Sequence, residues 1–243
     1  MTETQRLQKA LDASGNTVAI TGAGISIAAG IPPMRGLDMR KMRYYLDTDY
    51  LQRKPEQYYS IVRECFLIAI FQNGPTLTHR KLAELEEKEK LQAVITTNMD
   101  GLHGLAGSRN VAEIQGGFGQ NICLKCGKRL DDIQIWNHGT APRCSCGGLF
   151  CNYLVYSHIG VLDSAADQAC EWISKAELIL ITGTVGNYAM VYWHCRRPDA
   201  KIVQINPERT YFDRIADLNI RKKSDEVFSQ IKLPELSEEE KTK

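Results

Sequence analysis

The sequence carries almost no net charge: 30 Lys plus Arg stand against 29 Asp plus Glu, a formal +1. Such a balance offers no general field for nucleic acid or an anionic membrane, so any charged partner must be met by a local patch. Long apolar runs are missing too. The opening MTETQRLQKALDASGNTVAI lacks the apolar core of a signal peptide, and no later run approaches the roughly 20 residues that span a bilayer. The expectation is a cytoplasmic monomer without nucleic-acid or membrane partners. Cysteine is sparse for a secreted disulfide scaffold, with eight in 243 residues. Internal repeats and low-complexity tracts are absent as well. What is present is 43% hydrophobic residues over 243 positions, enough to bury a sizeable core in one domain or in a larger domain with a small insert.

Along the chain, LQKALDAS reads as a helix with Leu7 and Leu11 on one face, followed by NTVAITGAGIS, an apolar β-branched run that ends in glycines. This predicts strand, tight turn, then helix. The rhythm returns: KLAELEEKEK is helix-like, and LQAVITTNMD, ELILITGTVG and KIVQIN are short buried-type strands separated by helix-length segments. Alternation of this kind predicts an α/β fold, a parallel sheet with helices on both faces. Two stretches break it. Residues from about 38 to 72 are rich in Tyr, Met and Arg and read as helices lying over the sheet as a lid. Residues from about 121 to 156 carry paired cysteines and few periodic apolar positions, as expected of a module held by a metal instead of its own core. The charged C-terminal LPELSEEEKTK lacks apolar anchors and is expected to be disordered.

Cys123 and Cys126 form C-x-x-C, and Cys144 and Cys146 form C-x-C, each pair followed by glycine. Four thiolates on two tight turns suit a closed tetrahedral zinc site, structural and without an open position for catalysis. Reduced core cysteines or a redox pair are the alternative. Cys65, Cys151, Cys170 and Cys195 read as ordinary buried thiols. Gly22 and Gly24 end the first strand, where a missing side chain lets backbone N–H groups approach a diphosphate. A Gly-rich turn without a ligand is the competing reading. The third glycine of the dehydrogenase fingerprint is Ile27, and no acidic residue clearly ends a second strand, so hydride transfer is disfavoured. In ITTNMDGLHGLAG, Asn98 and Asp100 emerge at the carboxyl end of a strand, where ligands sit in open parallel sheets. His103 follows as a packing or capping histidine in preference to a catalytic one.

GAGIS, GIPPMRG, TTNMDGLHGLAG, EIQGG ahead of the two cysteine pairs, GT at 183–184 and QIN at 204–206 together resemble the sirtuin family in order and spacing, from about residue 15 to about residue 230. The resemblance implies a Rossmann-like NAD-binding domain over 1–37, 73–120 and 157–235. It also implies a small domain made of a helical part, 38–72, and a zinc module, 121–156, before a tail at 236–243. By motif position, Gly22, Ala23, Gly24, Ser26, Pro33, Met34 and Arg35 belong to the cofactor loop. Thr97, Asn98 and Asp100 lie by the nicotinamide and its ribose, and Gly183, Thr184, Val185 and Asn206 by the adenosine half. NAD is implied as co-substrate and Zn2+ as structural ion.

The departures direct the function. The usual G-I-P-D-F-R-G reads G-I-P-P-M-R-G, T-Q-N-I-D reads T-T-N-M-D, and NYLVYSHIG stands where V-x-F-G-E normally pairs with an acyl-lysine peptide. Above all, the sirtuin histidine is Gln115. An amide has no accessible pKa near neutrality and cannot take a proton from a ribose hydroxyl, a loss worth about two to four powers of ten in rate. It can still hydrogen-bond that hydroxyl while the cleft stabilises the charge that develops as nicotinamide leaves. The same substitution resembles the class M sirtuins, which modify a lipoylated carrier akin to the glycine-cleavage H protein. The implied activity is mono-ADP-ribosylation of an acceptor protein, with Asn98 and Gln115 orienting the ribose and Asp100 assisting. A deacylase using His103 or a water relayed by Asp100, a non-enzymatic NAD sensor and simple NAD hydrolysis are the rivals.

Overall fold

A computed structural model describes residues 1–32, 38–155, 157, 163–186 and 193–233. Pro33, Met34 and Arg35 lie outside the described residues, as does the tail at 236–243. In chain order the first half contains α1 (Glu3–Ala13), β1 (Thr17–Thr21), α2 (Met39–Tyr45), α3 (Thr48–Arg53), α4 (Pro55–Val62), α5 (Ile68–Asn73), α6 (Leu77–Glu87), β2 (Ala93–Thr96), α7 (Leu102–Leu105) and β3 (Val111–Glu113). The second half contains β4 (Gly116–Cys123), β5 (Arg129–Asp131), β6 (Phe150–Leu154), α8 (Asp163–Lys175), β7 (Leu178–Thr182), β8 (Lys201–Ile205), β9 (Leu218–Ile220) and α9 (Ser224–Phe228).

The four apolar runs become β1, β2, β7 and β8 of a six-stranded parallel sheet in the order β3-β2-β1-β7-β8-β9. Every residue of β1 and β7 is buried, because helices cover both faces. Alternate residues serve opposite sides. Ala19, Val94, Leu180 and Val203 pack with Leu7 and Leu11 of α1, Leu82 and Leu85 of α6 and Phe228 of α9. Val18, Ile20, Ile95 and Ile179 pack with Ala169 and Ile173 of α8 and with Phe212. Counted within this sheet alone, the first strand sits at the centre and the chain runs outward from it to one edge, then returns to build the other half. The strand order reverses between β1 and β7, and a crevice opens beyond the carboxyl ends of the strands at such a point.

Sequence periodicity had no purchase on β3 and β9. Each has three residues, lies at a sheet edge and mixes buried with half-buried positions, too short a run to show a period. The helix expected after the first Gly-rich turn is also corrected: two 3₁₀ turns, Ala23–Ile25 and Ile27–Ala29, stand there and end on Gly30 at φ +84°.

The cysteine-bearing stretch forms a second, antiparallel sheet in the order β5-β4-β6. The expectation that a metal alone holds it is corrected: the sheet also packs into a core that it shares with neighbouring helices. Trp136 is fully buried there, its indole N–H donating to Asn121 Oδ1 at 2.8 Å, with Phe118 at 5.9 Å and Tyr58 at 6.3 Å between ring centroids. Tyr58 belongs to α4, so α2–α5 share this core with the small sheet and do not lie over the parallel one, as the sequence suggested. Between α4 and α5 the helix widens into a π-turn, Arg63–Leu67, which carries Phe66. The cysteine assignments need one further correction. Cys170 of α8 and Cys195 of a 3₁₀ turn at Trp193–Cys195 form a disulfide, both half-buried; Cys65 is half-buried, and Cys151 alone of these four is a buried thiol.

Candidate active site

The crevice at the strand reversal is a cleft of about 450 Å³. Its floor comes from the turn after β1. An added Cβ on Gly24 would lie 2.7 Å from Gly183 Cα, and the Gly24 N–H donates to Gly183 O at 2.8 Å, so the loops after β1 and β7 touch backbone to backbone. Only glycine permits that approach, and it leaves Ala23, Gly24 and Ser26 facing the cleft. Gly22 stands behind them: its added Cβ would meet Thr184 Cβ at 2.7 Å, and it does not line the cavity. Ile27, at the place of the third fingerprint glycine, is 54% exposed on the rim.

The carboxyl end of β2 supplies Thr97, Asn98 and Asp100 to the same cleft. A buried polar chain fixes them. The Asn98 amide donates to Ser26 Oγ at 3.1 Å, and the Ser26 hydroxyl donates to Asp100 Oδ2 at 2.7 Å. The Leu102 N–H donates to Asp100 Oδ1 at 3.0 Å. Burial raises the Asp100 pKa above the ordinary carboxylate value, opposed by these two hydrogen bonds. From the other half of the sheet come Gly183, Thr184 and Val185 after β7, and Asn206 after β8, whose amide donates to Thr184 O at 3.1 Å. Gln115, in the joint between β3 and β4, closes the arrangement. Its backbone carbonyl accepts from the Val155 N–H at 3.0 Å, the residue lines the cleft, and among the described residues no hydrogen bond holds its carboxamide.

Several lining residues carried no signal in the sequence. Phe66 reaches the cleft from the π-turn, and Lys223, Ser224 and Asp225 reach it from the start of α9. Ser224 is placed by Thr182 at 2.6 Å between hydroxyl oxygens, a pairing of residues 42 apart that no local pattern encodes. His103 is not among the lining residues: it is buried, with Nε2 2.9 Å from Thr21 Oγ1 and its ring 4.7 Å from that of His79. Burial, helped by neighbouring His79, lowers its pKa well below the usual histidine value.

Glu113, the last residue of β3, was also missed. Burial and then the charge of Asp100 push its carboxyl up to about 7. The folded chain therefore holds this proton more tightly than the unfolded chain does. The associated stability is fully present below the ordinary glutamate value and is lost as pH rises through about 7, a swing of about 3 kcal/mol. Glu113→Gln is expected to abolish that part of the pH dependence. Urea unfolding at pH 5 and pH 8 measures it, and parallel losses in wild type and variant would refute it.

The four clustered cysteines meet a zinc ion's demands. Zinc–sulfur bonds of about 2.3 Å at a tetrahedral angle place sulfurs about 3.8 Å apart. Cys123 and Cys146 sulfurs lie 3.5 Å apart, Cys126 and Cys144 sulfurs 3.8 Å apart, and all four lie within 4.8 Å of one another. Gly127 and Gly147, at φ +72° and +81°, turn the backbone after each pair. The Cys146 backbone N–H is the main cause that brings the Cys144 thiol down to about 6. Against the Lys128 backbone N–H, the neighbouring Cys146 and Cys123 thiols push Cys126 up to about 11, so the spacing of the four sulfurs carries the metal assignment.

Comparison with known proteins decides the lineage, because the model of the Sir2 family matches residues 22–189. The chain belongs to the Sir2 family. A relative from Pyrobaculum aerophilum, "NAD-dependent protein deacetylase 1", is 33% identical over 231 residues, which cover 90% of this chain and 89% of that protein. One from Sulfurisphaera tokodaii, "NAD-dependent protein deacetylase", is 33% identical over 86% of each. A solved structure described as "Crystal structure of a Sir2 homolog-NAD complex" aligns with a TM-score of 0.78 at 28% identity over 93% of this chain and 91% of its own. Another, described as "The Structural basis of Sirtuin Substrate Affinity", reaches 0.81 at 32% identity over 95% and 98%. This Sir2-family chain is accordingly an NAD-dependent enzyme with NAD as co-substrate and a four-cysteine zinc site. Among the described residues no helix is long and apolar enough to cross a membrane.

Proposed function

We propose that this sirtuin transfers ADP-ribose from NAD to an acceptor protein and releases nicotinamide, in the manner of the class M sirtuins its sequence resembles. One observation carries the reading: the cleft that holds Asn98 and Asp100 presents Gln115, and none of the described residues lining it is a histidine. Asn98, fixed through Ser26, orients the nicotinamide ribose, and the free Gln115 carboxamide hydrogen-bonds a ribose hydroxyl. As the glycosidic bond to nicotinamide breaks, positive charge grows on the sugar, and the buried Asp100 carboxylate stabilises it. Deacylation then requires a base that removes a proton from the ribose. Gln115 cannot act as one. The sugar carbon is left to a nucleophile on the acceptor, with a lipoylated carrier of the glycine-cleavage H type as the first acceptor to test.

The second reading is protein deacylation. The names of the relatives favour it, as does a related structure, "Structure of Sir2Tm bound to a propionylated peptide", which is 31% identical. The two part in one experiment. Purified chain, labelled NAD, a lipoylated carrier and an acetylated peptide are incubated together and followed by mass spectrometry. Label on the carrier with an intact acetyl-peptide is the expected outcome. Acyl removal at ordinary rates with no labelled protein would overturn the proposal, and absence of nicotinamide release would reduce the chain to an NAD-binding module.

A further inference from the structure

Six of the eight cysteines are free thiols, four of them at metal distance, while Cys170 and Cys195 are joined. A chain that keeps four thiols for zinc yet pairs two others discriminates between them by environment. Cys170 and Cys195 are half-buried, within reach of a small reagent, and His194, exposed, places Nε2 3.3 Å from Cys195 Sγ. An imidazole at that distance can accept the thiol proton and so supply the thiolate that exchange requires.

The pair also sits where its state is felt by the cofactor. Cys195 ends the turn that begins with Trp193, whose ring lies 5.7 Å from that of Phe212 and under the Arg196 guanidinium at 4.7 Å. Phe212 and Tyr211 press on the loop after β7: an added Cβ on Gly186 would lie 3.0 Å from Tyr211 Cβ and 3.3 Å from Phe212 Cε2. The Tyr211 N–H donates to Val185 O at 3.3 Å. Val185 and Thr184 line the NAD cleft. From Cys170 on α8 the contacts thus run through Trp193 and Phe212 to the cofactor wall.

We propose that Cys170 and Cys195 form a thiol–disulfide exchange site, activated by His194, whose closed state tightens NAD binding. The co-reactant is a low-molecular-weight disulfide. His194 takes the Cys195 proton, the thiolate attacks one sulfur of the small disulfide, and the other half leaves as a thiolate that recovers the proton. Cys170 then attacks the Cys195 sulfur of the mixed disulfide, the protein S–S bond forms and a second small thiol leaves with the Cys170 proton. Two protein thiols are oxidised and one small disulfide is reduced to two thiols; excess small thiol runs the sequence backwards. The site needs only NAD binding, so it stands whichever group the enzyme transfers.

The test uses the full chain, zinc-loaded, equilibrated with oxidised or with reduced glutathione. Differential alkylation maps the cysteines, calorimetry measures NAD affinity, and metal analysis counts zinc. Cys170 and Cys195 are expected to be alkylated only after reduction, with one zinc per chain in both states. NAD is expected to bind about five-fold more weakly to the reduced chain, at the low end of ordinary coupling between sites. Cys195→Ser should hold the weaker affinity and ignore the redox state, Cys65→Ser should respond as wild type, and His194→Ala should slow closure without changing its end point. The wild-type comparison stands without the variants. Equal NAD affinity in the two states, a pair that stays open in oxidised glutathione, or a second metal ion on the reduced chain would each overturn the proposal.

Discussion

Gln115→Ala is expected to lower ADP-ribosyl transfer about a hundredfold, the usual loss on removing one preorganised hydrogen-bond donor from a site of developing charge. NAD affinity should fall by no more than about threefold, since the cradle of Gly24, Gly183 and Asn206 is untouched. Rapid-quench measurement of nicotinamide release under single-turnover conditions separates the two quantities. Full-rate transfer by the alanine variant would remove Gln115 from the mechanism. The reverse replacement is as informative. Gln115→His installs a base with a pKa near neutrality in a position that already lines the cleft, and acyl removal from an acetylated peptide is expected to rise by about two powers of ten. A histidine variant that gains no acyl removal would place the barrier to deacylation elsewhere, in the segment that should pair with the peptide.

Removal of zinc is expected to be the most damaging change to the fold. Structural zinc sites bind with about 10–16 kcal/mol near neutrality, which is comparable to the whole stability of a domain. The metal-side cluster contains only Cys123, Cys144 and Phe150 as buried members, so little else holds that tip. β4 runs from Gly116, the neighbour of Gln115, to Cys123, the first metal ligand, its pairing with β6 shifting register between Gly117 and Asn121. Chelation should therefore reach the cleft through one strand. A chelator in excess is expected to abolish NAD-dependent activity, lower the melting temperature and lose the near-ultraviolet signal of buried Trp136. Retention of all three would show that the shared aromatic core holds the small sheet by itself. Cys144→Ser should reproduce the chelated state at any zinc concentration.

Much of the architecture was readable because its signals are local. The runs that became β1 and β7 are buried on both faces, and such strands must be continuously apolar. The zinc ligands announced themselves by spacing, and Gly22 and Gly24 by their place at a strand end. What escaped was written in pairs distant along the chain. Cys170 and Cys195 stand 25 residues apart, and connectivity is not encoded in spacing. Glu113 is ordinary until the fold desolvates it and sets it near the charge of Asp100. Trp136 looked like part of a core-poor insert because the partners that bury it, among them Tyr58, come from a segment more than seventy residues earlier. Composition alone laid the 38–72 helices over the parallel sheet for the same reason, since amphipathicity says that a face is buried, not by what; only the family resemblance grouped them with the cysteine-bearing segment, beside which they pack.

The placement of residue 115 has an evolutionary consequence. It lies in a joint between two sheets, after β3 has ended and before β4 begins, and only its main chain takes part in the described hydrogen bonding. Neither packed interior depends on which side chain stands there. Selection could therefore exchange the reactive group in either direction at slight cost to stability, leaving the nucleotide cradle and the metal tip intact. A lineage that keeps one scaffold can in this way acquire a new reaction by a single codon change.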